Sequence, residues 1–379
     1  MQLKLMSMAC AAAFAFGAGA AGAQTVVKLG HVGPLTGNIA QLGKDNEAGA
    51  RMAIDELNAK KLKIGGQEVK FELLSEDDAA DPKQGTAAAQ KLVDAKVNGV
   101  IGHLNSGTTI PASRIYSEAG IPQISPSSTA PKYTQQGFKT AYRVVANDGQ
   151  LGGALGRYAV TELKARTIAV IDDRTAYGQG VADEFAKAVK AAGGQVSGRE
   201  YTNDKATDFS AILTKLKGKK PDLVFFGGMN AAAGPMLRQM KQLGMQVKYM
   251  GGDGICTGDM PQLAGDGMAD GQVICAEAGG VEGEQLKVME DFRTRFKSKF
   301  NMDVLLYAPY VYDATMTMVA AMQKADSTDP KKYLPVLAKI KYEGVTGTIS
   351  FDSKGDIRNG ALTLYTFKGG KREAMRVVR

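Results

Sequence analysis

The feature that most constrains the fold of this chain is a repeated alternation of short apolar runs with amphipathic segments, which begins at Thr25. The first units read VVKLGHVG, KDNEAGARMAIDELNAK, EVKFELLSED, PKQGTAAAQKLVDAK, VNGVIGHL, TTIPASRIYSEAG and IPQISP. The short runs are bounded by Gly or Pro, as strands are, and the segments between them carry apolar residues three or four positions apart, as helices do. Because strands that alternate with helices form parallel βαβ units, the sequence predicts an α/β fold with doubly wound parallel sheets.

A second series of the same kind starts after RVVANDGQ and predicts a second lobe. It contains GGALGRYAVTELKA, TIAVIDD, GQGVADEFAKAVKAAG, QVSGREYT, DFSAILTKLKG, PDLVFFGG, AGPMLRQMKQLG and QVKYMGG. Later come long helical patterns such as LLYAPYVYDATMTMVAAMQKA, and the tail returns to strand-like TISFD and ALTLYTF. The 379 residues also exceed one typical domain of about 100 to 200 residues.

Residues 1–23 have the pattern of a signal peptide. Lys4 precedes a run of small and apolar residues, and Ala21 and Ala23 fit the cleft of a signal peptidase, which predicts cleavage before Gln24 and export to the periplasm. The apolar stretch is shorter than the roughly 20 residues of a membrane span. Lipidation at Cys10 would require an unusually short signal, because this cysteine precedes most of the apolar run.

The formal net charge of +8 comes from basic residues scattered among acidic ones, and the chain has no Trp. No basic stripe interleaved with aromatic residues is present, so nucleic acid is not an expected partner. Only two histidines occur, His31 and His103, each near a predicted strand end, where local packing or hydrogen bonding is the expected role. The one G-x-G-x-x-G motif, from Gly17 to Gly22, lies in the signal peptide and follows no strand. We therefore expect no catalysis, no metal and no cofactor.

Cleavage would leave two cysteines, Cys256 and Cys275, in a compartment where disulfides persist. They are either bridged or buried as two small apolar thiols. Neither alternative requires a metal or redox role.

Two neighbouring strand ends are candidate binding positions. Ser106 follows the strand of VIGHL at the expected N-cap of a helix, and Ser127, Ser128 and Thr129 follow the next strand. Hydroxyls, free amides and a helix dipole at this edge of a parallel sheet would hold an α-carboxylate. The alternative is that Ser106 only caps its helix and that SPSST only forms a turn.

The ammonium of an amino acid needs an anion when it is buried, and Asp253 is the candidate. It follows a second-lobe strand among glycines that permit close approach of the backbone. Tyr177, at another strand end of that lobe, would cover the ligand side chain. The alternatives are an Asx turn at Asp253 and surface packing of Tyr177.

The segments IGHLNSGTTIPAS, ISPSSTAP, DDAADPKQ, AYGQGVA, FFGG and MGGDG, in this order, resemble the leucine/isoleucine/valine-binding proteins of bacterial ABC transporters. The resemblance implies a type I periplasmic binding protein fold, with two lobes joined by a three-crossing hinge around a ligand cleft. It implies an N-terminal lobe of residues 24–146 with 276–343 and a C-terminal lobe of residues 147–275 with 344–379. It also implies that Ser106, Thr129 and the backbone of Ser127 hold the ligand carboxylate, that Asp253 replaces a glutamate at the ammonium, and that Tyr177 lines the pocket.

The chain departs from the family at the side-chain end of the expected pocket. Leu42 and Met229 stand where the best-known members have tyrosines, and Ala80 and Asn105 replace a cysteine pair. These differences imply a roomier pocket, so aromatic or other neutral amino acids and small carboxylates are alternatives to branched-chain ligands.

The resemblance further implies a monomer that delivers a free amino acid, branched-chain as the first expectation, to the membrane permease subunits of an ABC importer. The alternative is a sensor of the same fold that presents its ligand to a signalling receptor.

Overall fold

A computed structural model describes residues 24–378, so the predicted signal peptide and its cleavage lie outside the described residues. The strands are β1 (Thr25–Gly33), β2 (Lys63–Ile64), β3 (Gln67–Asp77), β4 (Gly99–Gly102), β5 (Gln123–Ser125), β6 (Ala141–Arg143), β7 (Thr167–Asp172), β8 (Gln195–Tyr201), β9 (Leu223–Gly227), β10 (Lys248–Gly251), β11 (Val273–Glu277), β12 (Lys341–Gly344), β13 (Gly347–Ser350), β14 (Leu362–Lys368) and β15 (Lys371–Val378).

The α-helices are α1 (Ala40–Ala59), α2 (Pro82–Asp94), α3 (Ser106–Ala119), α4 (Lys132–Gln135), α5 (Asp148–Thr161), α6 (Ala176–Ala191), α7 (Ser210–Lys217), α8 (Asn230–Gln242), α9 (Met260–Ala264), α10 (Gln285–Phe300), α11 (Ala308–Lys324) and α12 (Pro330–Leu337). None of the helices within residues 24–378 is both long and apolar enough to cross a membrane.

Two sheets organise the fold. The first has the strand order β2-β3-β1-β4-β5-β6 and the second has the order β15-β14-β11-β10-β9-β7-β8. The strands from β3 to β6 and from β11 to β8 pair in parallel, whereas β2, β14 and β15 add antiparallel edges. The prediction of two doubly wound parallel sheets is confirmed.

Local sequence explains where the elements begin. The carboxylate of Asp81 accepts hydrogen bonds from the backbone N–H groups of Lys83 and Gln84 at 2.9 and 3.0 Å, and Pro82 occupies the first turn of α2. A capping box between Asn147 and Gln150 starts α5. Strands β4 and β9 are buried over their whole length, which explains why GVIG and LVFFG are uninterrupted by charges.

The chain passes between the sheets after β6, after β11 and before β14. The predicted boundary at residues 275/276 falls inside β11, and the boundary at 343/344 falls inside the β12–β13 hairpin, which packs on α11. We therefore place the second crossing after Glu277 and the third after Ser350. The buried guanidinium of Arg143 fastens the third crossing to the first lobe, because its Nε donates to Asp356 at 2.5 Å and its Nη1 to the carbonyl of Ser128 at 2.8 Å.

Cys256 and Cys275 form a disulfide in the second lobe, which decides between the two alternatives that the sequence left open. The bridge ties the segment after the 3-10 helix Asp253–Ile255 to β11, the neighbour of β10 in the sheet. It therefore fixes the loop that carries Asp253.

Replacing both cysteines in the variant C256A/C275A should lower the free energy of unfolding by about 3 kcal/mol. The physical reason is that the bridge closes a loop with a sequence separation of 19 residues, which restricts the unfolded chain. Urea denaturation followed by circular dichroism measures the change. A thiol reductant should destabilise the wild type by a similar amount and leave the double variant unchanged, and a wild type insensitive to reductant contradicts the assignment.

Candidate functional site

The candidate site lies at the carboxyl ends of the parallel strands, where the two lobes meet. On the first lobe, the segment after β4 carries Asn105 and Ser106. On the second lobe, Tyr177 lies in the first turn of α6, and Asp253 follows β10. This is the edge of an open α/β sheet at which ligands bind.

The serines of the first lobe bond one another. Ser106 Oγ accepts hydrogen bonds from Ser128 Oγ and from the backbone N–H of Ala130, both at 3.2 Å. Ser127 Oγ donates to the carbonyl of Leu104 at 3.1 Å. The predicted N-cap role of Ser106 is wrong, because Asn105 is the N-cap residue of α3 and Ser106 is the first helical residue. Its hydroxyl points to the neighbouring segment instead, so Ser106 links the two strand ends.

Thr129 and Asp148 present buried polar atoms without partners. The hydroxyl of Thr129 and both carboxylate oxygens of Asp148 have no hydrogen-bond partner among residues 24–378. The backbone N–H of Asp148 donates to the carbonyl of Thr129 at 2.9 Å, which places the two residues side by side. Burial raises the pKa of Asp148 to about 8; the adjacent hydroxyl of Thr129 opposes this increase, and the nearby carboxylate of Asp253 adds to it. A buried carboxylate without partners is costly, and a cation would satisfy it.

Asp253 is fully buried and is bound by a tyrosine from each lobe. Tyr177 Oη donates to its Oδ1 at 2.8 Å, and Tyr307 Oη donates to its Oδ2 at 2.9 Å. The backbone N–H of Gly254 in turn donates to Tyr177 Oη at 2.8 Å, and a Cβ at position 254 would lie 2.8 Å from the Tyr177 ring. Burial raises the pKa of Asp253 to about 6, and the two tyrosine hydroxyls oppose this increase. Asp253 is therefore not an ordinary loop residue in an exposed Asx turn.

Sequence reasoning missed Tyr307, which lies just before α11. The fully buried carboxylate of Asp45, on α1, accepts hydrogen bonds from four successive backbone N–H groups, those of Leu305, Leu306, Tyr307 and Ala308, at 2.7 to 3.2 Å. This contact between distant parts of the first lobe positions Tyr307. No local pattern in LLYAPYVY indicates it. Asp148 was missed because its segment, NDGQ, marks only the junction between the two series of strands and helices.

Two cavities occupy the space between the lobes. The inner chamber is lined by Leu104, Asn105, Ser106, Ser127, Tyr177, Met229 and Tyr307 and measures about 10 Å³. The outer chamber, about 430 Å³, shares Asn105, Tyr177 and Met229 with it. Leu42 lines neither chamber, because it is buried in the core of the first lobe. The inner chamber has room for about one water, so an amino acid enters it only when the lobes move apart.

Neither histidine reaches the inner chamber. The ring of His103 contacts Asp78 Oδ2 at 3.2 Å and Tyr116 Oη at 3.0 Å, and His31 bonds the carbonyl of Ile101. Burial lowers the pKa of His31 to about 4. Within residues 24–378, no three side chains of His, Cys, Asp or Glu are grouped as metal ligands. The polar side chains that line the inner chamber are the amide of Asn105 and the hydroxyls of Ser106, Ser127, Tyr177 and Tyr307.

The substitution Asp148→Asn should stabilise the ligand-free protein at pH 8 by at least about 1 kcal/mol, since one pKa unit corresponds to about 1.4 kcal/mol. The raised pKa of Asp148 in the folded chain favours the protonated form. The contribution of this carboxyl to the free energy of unfolding is fully present below about pH 4, near its pKa in the unfolded chain. It is lost as the pH rises through about 8, the pKa in the folded chain. Urea denaturation at pH 5 and pH 8 should therefore show a smaller pH dependence in the variant.

Asp313 provides the matched control for this substitution. It is also buried with a pKa raised to about 6, but it accepts hydrogen bonds from the backbone N–H groups of Val345 and Thr346. Asp313→Asn should therefore gain less stability at pH 8 than Asp148→Asn, because it also loses these hydrogen bonds. An equal change of stability in both variants contradicts the assignment of Asp148 as the poorly compensated acid.

Comparison with known proteins identifies the family. The family model described as periplasmic binding protein matches residues 26–371. A leucine-, isoleucine-, valine-, threonine- and alanine-binding protein of Pseudomonas aeruginosa is 35% identical over 344 residues, which cover 90% of each chain. The leucine-binding protein LivK of Thermotoga maritima superposes with a TM-score of 0.84 at 26% identity, over 93% of this chain and 98% of its own. LivJ of Streptococcus pneumoniae, solved with isoleucine, superposes with a TM-score of 0.82 at 26% identity, over 93% and 99%. The chain belongs to the periplasmic binding protein family and has its type I fold of two lobes.

Proposed function

We propose that this protein binds a free amino acid between its two lobes in the periplasm and delivers it to the membrane subunits of an ABC importer. The observation that carries the proposal is a pair of buried carboxylates, Asp148 and Asp253, within electrostatic reach of each other at the contact between the lobes. The tyrosines that bind Asp253, Tyr177 and Tyr307, line the inner chamber. The relatives' names support a branched-chain ligand: one is a leucine-, isoleucine-, valine-, threonine- and alanine-binding protein, and another was solved with isoleucine.

The first lobe supplies the donors for the α-carboxylate. Thr129 has a free hydroxyl, and Ser106 Oγ already accepts two hydrogen bonds, so its own proton is available for a ligand. The first turn of α3 adds the positive end of a helix dipole. Asn105, the N-cap residue, makes no side-chain hydrogen bond to this turn, and its carbonyl accepts from the N–H of Thr108. The N–H groups of Ser106 and Gly107 are therefore the ones offered to a ligand.

The ammonium would lie between Asp148 and Asp253. A carboxylate has about four acceptor positions, so Asp253 retains room for a ligand after accepting from Tyr177 and Tyr307. Each charge-assisted hydrogen bond contributes roughly 1.5 to 3 kcal/mol, so several are needed for a micromolar dissociation constant, which corresponds to about 8 kcal/mol. The two acids and the hydroxyls can together make several such hydrogen bonds.

Closure of the lobes completes the site. Asp253 belongs to the second lobe and Tyr307 to the first, so their hydrogen bond forms only when the cleft is shut. A ligand whose carboxylate binds Ser106 and Thr129 would place its ammonium next to Asp253, where this hydrogen bond joins the lobes. We infer that binding stabilises the closed form through differential contacts with the two lobes.

In isothermal titration calorimetry on the mature protein at pH 7, Asp253→Asn should weaken binding of leucine by at least about 100-fold, because the ammonium loses its buried counter-charge. The exposed acid Asp266, also in the second lobe, provides the control, and Asp266→Asn should leave the affinity unchanged. A thermal-shift screen of the wild type against all amino acids identifies the ligand used if leucine does not bind. Equal affinities for the wild type and Asp253→Asn contradict the proposed site.

A further inference from the structure

The outer chamber remains open although the lobes are already in contact around it. Asn38, in the first lobe, donates through its Nδ2 to the carbonyl of Asp204, in the second lobe, at 3.2 Å. Deeper in the cleft, Tyr307 reaches Asp253 across the lobes. Between these two contacts lies a cavity of about 430 Å³ that both lobes line. This volume is within the range of ligand pockets, about 300 to 1,000 Å³, so a ligand whose head group opens the inner chamber would find room for a long side chain in the outer chamber.

The walls of the outer chamber combine small apolar residues with polar and charged ones, and the apolar part is available to an aliphatic side chain. The apolar residues include Ile39, Ala79, Ala80, Pro82, Ala176 and Ala231. Met229 and Asn105 stand at the junction with the inner chamber, since both line the two cavities. A side chain that begins in the inner chamber therefore passes Asn105, Met229 and Tyr177, the residues that line both cavities, before it reaches the larger space.

Asn105 places an unsatisfied polar group at this junction. Its Oδ1 is buried and has no hydrogen-bond partner among residues 24–378. An unpaired buried amide oxygen costs about 1 to 3 kcal/mol, and a leucine side chain would leave it unpaired. A ligand side chain with a hydrogen-bonding group several bonds from its Cα would pair with it.

The charged side chains that line the outer chamber balance in sign: they are Asp81 and Asp204, and Arg174 and Lys205. Asp81 of the first lobe lies within electrostatic reach of Lys205 of the second. The guanidinium of Arg174 lies 3.5 Å from the centre of the Tyr201 ring. No fully buried charged side chain lines the chamber within the described residues. This environment favours an uncharged side chain.

From these observations we propose that the preferred ligand is a neutral amino acid whose side chain is longer than that of leucine and ends in a hydrogen-bonding group, such as the carboxamide of glutamine. The inference rests on the proposed function, because it requires the head group in the inner chamber. The side chain then extends into the outer chamber, with its polar group paired to Asn105.

Calorimetry with glutamine and leucine tests the inference on the mature protein. The wild type should bind glutamine at least as tightly as leucine. Asn105→Leu should weaken glutamine binding by at least about tenfold, the loss expected for one buried hydrogen bond, and should not weaken leucine binding. Ala231→Leu, which adds bulk in the outer chamber alone, should also weaken glutamine selectively. Gln242→Leu, an exposed change at the end of α8, is the matched control and should alter neither affinity.

The outcomes separate this inference from the proposed function. Leucine binding without glutamine binding, or glutamine binding that Asn105→Leu and Ala231→Leu leave unchanged, overturns the inference and leaves the proposed function standing. Failure of every amino acid to bind overturns both. Parallel loss of both ligands in Asn105→Leu, with selective loss in Ala231→Leu, still supports the outer chamber as the side-chain site.

Discussion

The buried carboxylate of Asp253 is the interaction on which the rest of the structure depends. A charge removed from water is costly unless hydrogen bonds replace its hydration. Here the replacement comes from Tyr177 on its own lobe and from Tyr307 on the other. The glycine at position 254 lets the tyrosine approach, Asp45 holds Tyr307 in place, and the disulfide fixes the loop that carries the acid. Closing the cleft and satisfying this charge are therefore one event.

The same closure leaves Asp148 without partners, and this asymmetry explains how a ligand would control the lobes. When two acids within electrostatic reach of each other are both ionised, each increases the free-energy cost of burying the other's charge. An ammonium between them would remove that cost and would satisfy Thr129 through the attached carboxylate. The closed form is thus penalised when empty and stabilised when occupied, which is the differential affinity that a ligand-driven change of shape requires.

The sequence predicted the fold better than the site. Continuous apolar strands such as β9 and amphipathic helices such as α6 have strong local patterns, and the motif order identified the lobes. Ser106 and Asp253 were found because they follow strand ends. Tyr307 and Asp148 were not, since their roles arise from contacts between segments far apart in the chain. The two predicted boundaries fall inside β11 and inside the β12–β13 hairpin, because the composition does not change where the chain leaves a lobe. Leu42 was expected at the pocket from its position in the family pattern, but its helix turns it into the core.

The central claim is that the cleft grips both charges of a zwitterion, one from each lobe. The most direct test compares, by calorimetry on ligand-free protein, the tightest-binding amino acid with two analogues of the same side chain, one lacking the ammonium and one lacking the carboxylate. The account predicts that each analogue binds at least about 100-fold more weakly, because each leaves buried charges or hydroxyls unpaired. An analogue without the ammonium that binds as tightly as the parent amino acid would contradict it.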